Sequence, residues 1–274
     1  MRSAVTISLV PEARGGPFVF WDDLEGNLAQ AAALGFSAVE IFPPSTEVLD
    51  ARQIRQLLER HNLKLAAVGS GAGWVVRKLR LTDPDPMVRG RAREFIAAIV
   101  DFAGGFGASA IVGSMQGRFE HSVSREQALT WLAEALEQLG PRAHARGVPL
   151  FFEPLNRYET NLVNSVADGL ALLKPLRTKN VKLLCDLFHM NIEEASMAEA
   201  LHAAGPFLGH VHLADSNRQA AGFGHTDFAP IARALHEISY QGYLSAEVFP
   251  RPDSDSAARQ TMAAIKRWFQ ASPP

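Results

Sequence analysis

Strand-like apolar runs alternate with helix-like patterns along the whole sequence, and this alternation limits the possible folds more than any other feature. The strand-like runs cover 4–10, 37–42, 63–69, 109–114, 148–153, 181–186, 207–213 and 243–248. The helical patterns cover 24–34, 50–61, 86–104, 124–146, 164–174, 192–204, 228–239 and 255–270. Repeated right-handed crossovers build a parallel sheet that can close on itself, so the pattern predicts an α/β fold with one (β/α)8 barrel domain over residues 1–274.

Four side chains with metal-binding chemistry stand at the ends of four consecutive strand-like runs. Glu153, Asp186, His212 and Glu247 are separated by 33, 26 and 35 residues, close to the roughly 30-residue length of a βα unit. Such barrels carry their chemistry at the rim where the carboxyl ends of the strands meet. A single acid there often caps the following helix, but three unpaired acids and a histidine at matched positions would be costly to bury without a cation. The pattern predicts one metal site, and its donors suit Mn²⁺, Mg²⁺ or Co²⁺.

Other residues near the predicted rim could belong to the site or have an ordinary structural role. His210 lies one layer deeper than His212 on the same strand and is interpreted as a hydrogen-bonded core histidine rather than a ligand. His189 is expected in the loop after its strand, as a contact to substrate or to the metal ligands, or as an ordinary polar loop residue. Glu40 ends a strand and is either another ligand or a buried acid that supports the site. The segment Gly69-Ser-Gly-Ala-Gly lacks the remaining residues of a phosphate loop and is expected to form a flexible rim loop.

Composition narrows the possible partners and the compartment. The net charge of −2, from 27 basic and 29 acidic residues, gives no general attraction to nucleic acid or to a membrane surface. The single cysteine, Cys185, lies in an apolar run and is expected to be buried and inert. No apolar run approaches the length of a membrane span. The first residues read as a strand rather than a signal peptide, so we expect a cytoplasmic protein.

Three segments of the C-terminal half resemble the signature blocks of the D-tagatose 3-epimerase and related ketose 3-epimerases, which belong to the xylose isomerase-like TIM-barrel superfamily. These segments are Glu153-Pro-Leu-Asn-Arg-Tyr-Glu159-Thr, Asp186-Leu-Phe-His189-Met-Asn-Ile-Glu-Glu, and His210-Val-His212-Leu-Ala-Asp-Ser-Asn-Arg218 followed by Gly222-Phe-Gly-His-Thr-Asp-Phe228. Ser8-Leu-Val-Pro-Glu-Ala and the Asn-Ile-Glu-Glu stretch are closer to a branch similar to 5-keto-L-gluconate epimerase.

The resemblance implies specific roles for the residues of these blocks. The four rim residues would bind one divalent ion, with Mn²⁺ preferred and Mg²⁺ or Co²⁺ as alternatives, and Glu153 and Glu247 would also be the catalytic proton-transfer pair. Glu159, His189 and Arg218 match positions that bind substrate oxygens. The family also implies a homodimer or homotetramer.

These residues suit a metal-dependent epimerase of a keto-sugar or a keto-sugar acid. Inversion of a carbon next to a ketone passes through a planar cis-enediolate, and one base on each face of that plane is needed. An aldose–ketose isomerase similar to hydroxypyruvate isomerase needs the same groups, and a dehydratase or lyase is a more distant alternative. An apurinic endonuclease-like phosphodiesterase would need several zinc ions and a basic surface. A non-catalytic sugar-binding module would need no pair of opposed glutamates.

Overall fold

The fold is built on parallel strands that close into a barrel, as seen in a computed structural model that describes residues 1–120 and 122–270. The strands in these residues are β1 (Arg2–Ser8), β2 (Phe20–Trp21), β3 (Ala38–Phe42), β4 (Lys64–Gly69), β5 (Ser109–Val112), β6 (Leu150–Phe152), β7 (Val181–Asp186), β8 (Leu208–His212) and β9 (Tyr243–Ala246). The α-helices are α1 (Leu24–Ala33), α2 (Ala51–Arg60), α3 (Ala72–Val75), α4 (Pro86–Gly104), α5 (Arg125–Ala145), α6 (Val166–Leu173), α7 (Leu187–Glu193), α8 (Met197–Ala204), α9 (Phe228–Glu237) and α10 (Ser254–Ala264).

Eight of the strands form the closed barrel. Their order is β1-β3-β4-β5-β6-β7-β8-β9, and β9 pairs back onto β1 with Arg2 opposite Tyr243 and Val5 opposite Ala246. All of these pairings are parallel. The two-residue β2 adds to the carboxyl end of β1, with Ile7 opposite Phe20. The predicted (β/α)8 barrel is therefore confirmed.

The element boundaries depart from the sequence prediction in three places. The helix predicted at 192–204 corresponds to α8, which Ser196 caps, and a separate helix, α7, precedes it because Asp186 caps a helix that starts directly after β7. The short helix α3 begins inside the glycine-rich segment expected to be a loop. The last predicted helix, 255–270, ends as α10 at Ala264 and continues as a π-helical turn over Ile265–Gln270.

An apolar floor lies inside the barrel beneath the rim. One buried cluster there consists of Ala67, Ile111, Phe151 and Leu184. Phe151 and Leu184 precede Glu153 and Asp186 by two residues, so each pair points to the same side of the sheet. The larger core fills the space between the strands and the surrounding helices and includes buried Cys185. Among the described residues, the helices include none that is both long and apolar enough to span a bilayer.

Candidate active site and metal centre

The four predicted metal ligands meet at the carboxyl end of the barrel. Asp186 and His212 are the last residues of β7 and β8, whereas Glu153 and Glu247 directly follow β6 and β9. His212 Nδ1 lies 3.5 Å from Glu153 Oε1, 3.7 Å from Asp186 Oδ2 and 3.6 Å from Glu247 Oε2. One ligand atom from each residue lies within 4.8 Å of the others. We call these four residues the quartet.

The quartet fits a divalent cation. Glu153 Oε1, Asp186 Oδ2 and His212 Nδ1 are buried and have no hydrogen-bond partner among the described residues. Buried polar atoms without partners are costly, and here three of them converge. The 3.5–3.7 Å that separate His212 Nδ1 from the three carboxylate oxygens are short enough for donors that each lie about 2.1 Å from one Mg²⁺-like ion. An oxygen-rich donor set with one imidazole suits Mn²⁺, Mg²⁺ or Co²⁺.

Glu40 and His210 lie directly below the quartet, on β3 and β8. The two carboxylate oxygens of Glu40 face the histidine rings, with Oε2 at 3.0 Å from His210 Nε2 and Oε1 at 3.1 Å from His212 Nε2. All three side chains are buried. His210 is thus a hydrogen-bonded interior histidine, as predicted, and Glu40 has the contacts of a supporting acid.

His189 is held with one ring nitrogen toward the quartet. It lies on the first turn of α7 and not in a loop, which corrects the sequence prediction. The backbone N–H of Asn156 donates to His189 Nδ1 at 3.3 Å, and the Asn156 side-chain nitrogen lies 2.7 Å from it. With Nδ1 as acceptor, the proton of the neutral ring is on Nε2. That atom lies 3.9 Å from Glu153 Oε1 and 3.7 Å from Asp186 Oδ2, so His189 presents a donor to the site.

Arg218 connects the quartet with Glu159. Its guanidinium donates to Glu247 Oε2 at 3.0 Å and to Glu159 Oε1 at 3.1 Å, and it lies 4.8 Å above the ring of Phe188. Burial alone would lower the pKa of Arg218, but Glu247, Asp186 and Glu159 raise it. The residue has a φ of 58°, a conformation that non-glycine residues seldom adopt and that often marks functional sites.

Burial and neighbouring charges move the pKa values of Glu247 and Asp186 in opposite directions. Burial raises the pKa of Glu247 to about 8, and Glu153 and Asp186 add to this effect, although His212 and Arg218 oppose it. Burial also acts to raise the pKa of Asp186, but His189, His212 and Arg218 outweigh it and lower the pKa below its usual range. Such separation of neighbouring carboxyl groups is typical of acid–base sites.

Two residues that the sequence analysis did not identify shape the position of Glu153. A Cβ atom on Gly113 would lie 2.5 Å from Glu153 Oε2, so only glycine leaves room for this carboxylate. The buried Gln116 donates from Nε2 to the backbone oxygen of Glu153 at 3.0 Å. Both lie between β5 and α5, in a segment without a recognisable motif.

Three quartet residues, Glu153, His212 and Glu247, line a cavity of about 560 Å³, a size typical of small-molecule sites. Aromatic side chains of Phe18, Phe42 and Trp74 line its wall, and Arg14 and Arg80 stand among its polar lining residues. All three predicted substrate contacts, Glu159, His189 and Arg218, line the same cavity.

Comparison with known proteins identifies epimerases as relatives, both by sequence and by fold. The L-ribulose 3-epimerase of Methylomonas sp. (strain DH-1) is 33% identical over 249 residues, which are 89% of this chain and 85% of that protein. The 3-dehydro-D-guloside 4-epimerase of Escherichia coli (strain K12) is 37% identical over 132 residues, 48% of this chain and 49% of that protein. The crystal structure of a Methylomonas sp. D-allulose 3-epimerase in complex with D-allulose superposes with a TM-score of 0.82 at 26% identity and covers 98% of each chain.

The family model for xylose isomerase-like TIM barrels matches residues 28–268. This match covers most of the chain and agrees with the closed parallel barrel and with the resemblance seen in the C-terminal segments. The chain belongs to the xylose isomerase-like TIM-barrel family, and its relatives include the ketose 3-epimerases.

Proposed function

We propose that this protein is a divalent-metal-dependent epimerase of a keto-sugar or keto-sugar acid, with Mn²⁺ as the preferred ion. The observation that carries the proposal is the quartet, in which buried donor atoms without partners converge beside a cavity. Relatives named as ketose 3-epimerases and a guloside 4-epimerase support the reaction class.

Glu153 and Glu247 are the proposed proton-transfer pair. They follow β6 and β9, which are separated in the barrel by β7 and β8, so they reach the cavity from different sides. One of the two, as an ionised carboxylate, takes the proton from the carbon next to the ketone, and the other, as a protonated carboxylic acid, gives its proton to the opposite face of the planar enediolate. A bound divalent ion would be held by the quartet and would supply Lewis-acid stabilisation of the developing negative charge.

The remaining polar residues orient the substrate. Arg218 has a planar, permanently charged group that can bind a substrate hydroxyl or a carboxylate. His189 presents its Nε2–H beside Glu153, and Glu159 accepts from Arg218 and offers a second oxygen to a hydroxyl group. A substrate with a carboxylate would gain most from Arg218, in line with the resemblance to a keto-acid branch.

The test is hydrogen exchange in D₂O with Glu153→Gln and Glu247→Gln, measured at saturating Mn²⁺ with metal content determined. Each variant should lose exchange with the epimer whose C–H faces the missing carboxylate, and epimerisation should fall by about 10²-fold or more. The exposed Glu59→Gln on α2 is the control. Full exchange with both epimers in both variants would refute the two-base role, and an aldose product, identified by NMR, would establish the isomerase alternative.

A further inference from the structure

Glu40 and His210 form a buried hydrogen-bonded chain with the quartet residue His212, and the proposed reaction gives Glu40 and His210 no role. Glu40 is 4% exposed and the two histidines are 1% exposed. Each Glu40 oxygen contacts the Nε2 atom of one ring, at 3.0 Å for His210 and 3.1 Å for His212. These three residues also satisfy the spacing of a possible metal-binding group, so two functions have to be compared.

The contact geometry favours hydrogen bonding by Glu40, His210 and His212 over metal binding by these three residues. An ionised carboxylate only accepts hydrogen bonds, so both Nε2 atoms must carry hydrogen. When the His212 ring is neutral, its lone pair is then on Nδ1, the atom that lies 3.5–3.7 Å from the oxygens of Glu153, Glu247 and Asp186. A second ion bound by Glu40 would need His212 Nε2 without its hydrogen. It would therefore compete with the quartet for the lone pair of the His212 ring.

Neighbouring rings fix the orientation of His210 and His212 relative to the Glu40 carboxylate. The ring of Phe151 stacks on His210 with centroids 5.3 Å apart and an angle of 25°. His210 meets His212 edge to face at 5.4 Å. His210 therefore occupies the second oxygen of Glu40 and prevents this carboxylate from turning away from His212.

We propose that Glu40 is a positioning residue for the metal centre: its carboxylate accepts from His212 Nε2 and thereby directs His212 Nδ1 to the ion, while His210 fixes the carboxylate. The inference rests on the proposed metal site. Partners of this kind on metal-binding histidines typically change metal affinity by about 10- to 100-fold.

The experiment measures Mn²⁺ affinity and stoichiometry by titration calorimetry, with Glu40→Ala, Glu40→Gln and His210→Phe, and thermal unfolding of each metal-free protein. We expect one Mn²⁺ per wild-type chain. Glu40→Ala should bind it about 10- to 100-fold more weakly, and Glu40→Gln less severely, because the amide oxygen still accepts one hydrogen bond. His210→Phe should lower affinity by less than Glu40→Ala. The control is Glu59→Ala on the exposed face of α2, with unchanged affinity.

The outcomes separate this inference from the proposed function. If the wild-type protein binds no Mn²⁺ and epimerises no keto-sugar, the proposed function fails. If the wild type binds one Mn²⁺ and is active but folded Glu40→Ala and Glu40→Gln bind it equally well, the positioning role is wrong. Two Mn²⁺ per wild-type chain, reduced to one by His210→Phe, would overturn it too, because Glu40 and His210 would then be ligands. If Glu40→Ala does not fold, Glu40→Gln decides alone.

Discussion

Each carboxylate of the quartet has its own set of partners, and these partners are where single substitutions should act. The backbone of Glu153 is held by Gln116, Asp186 accepts from the N–H of Phe188, and Glu247 accepts from Arg218. A buried carboxylate is costly unless hydrogen bonds or cations compensate it. The positions of the acids therefore depend on neighbours that carry no metal-binding chemistry themselves.

Gly113→Ala should weaken metal binding without unfolding the barrel. The added Cβ would overlap Glu153 Oε2 and push the carboxylate away from the other donors. Displacement of a reacting group by about 1 Å can cost about 100-fold in rate, so we expect a fall of that order in kcat/KM and weaker Mn²⁺ binding. Gly90→Ala is the matched control, because its Cβ would meet no heavy atom closer than 4.0 Å. Unchanged Mn²⁺ affinity in Gly113→Ala would contradict this account.

Asp215→Asn should destabilise the protein at neutral pH but not in acid. Asp215 is buried and accepts from the backbone N–H groups of Ser216, Gly222 and Thr226 at 2.7, 2.7 and 3.0 Å. Burial raises its pKa, but these hydrogen bonds outweigh burial and lower the pKa below the ordinary value of 3.8. The stabilisation is therefore complete only above about pH 5, where the unfolded chain's carboxyl is ionised, and is lost as the pH falls through 3.8 towards the lowered pKa.

Urea unfolding of wild type and Asp215→Asn from pH 7 to pH 3 measures this effect. At pH 7 the variant should be less stable by about 1–3 kcal/mol, and the difference should shrink below about pH 5. A difference that stays constant over the whole pH range would show that ionisation of Asp215 contributes nothing.

At the scale of elements, Asp186 is a member of the quartet and also the N-cap of a helix. Asp186 Oδ1 accepts from the N–H of Phe188 at 2.7 Å and caps α7, while Oδ2 points towards His212 and the other quartet residues. The sequence prediction used Asp186 only as a ligand and began the following helix at residue 192. Because the cap starts α7 directly after β7, His189 lies on that helix and is aimed at the quartet.

Asp186→Asn and Asp186→Ala should separate these two tasks. Asparagine caps helices as well as aspartate does, whereas alanine costs about 1 kcal/mol. In EDTA, Asp186→Asn should therefore be about 1 kcal/mol more stable than Asp186→Ala in urea unfolding. Both variants should lose most of their Mn²⁺ affinity, since neither has the carboxylate. Equal stability of the two variants would mean that the cap has no measurable role.

At the scale of the whole molecule, barrel closure brings the site together. The pairing of β1 with β9 closes the sheet into a barrel, and Glu40 on β3 thereby reaches His212 on β8, 172 residues away. A ligand that binds only this closed state should stabilise the entire fold.

Mn²⁺ should raise the thermal unfolding midpoint. An ion at 100 times its Kd adds about 2.7 kcal/mol, which for a chain of this size corresponds to a shift of roughly 5–10 °C. Scanning calorimetry with Mn²⁺ and with EDTA measures the shift, and the double variant Glu153→Gln and Glu247→Gln should show none. An identical midpoint of the wild type in Mn²⁺ and EDTA would argue against a metal site.

The amino-acid sequence alone determined the barrel, because hydrophobic periodicity and βα spacing are local properties of the chain. It also identified the four residues that the structure brings together, since the ends of parallel strands share one rim. The tertiary structure decided what local patterns do not encode: the contacts of Glu40 with both histidines, the room that Gly113 leaves for Glu153, and the direction of His189. These depend on distances between side chains far apart in sequence, which only closure and packing of the barrel establish.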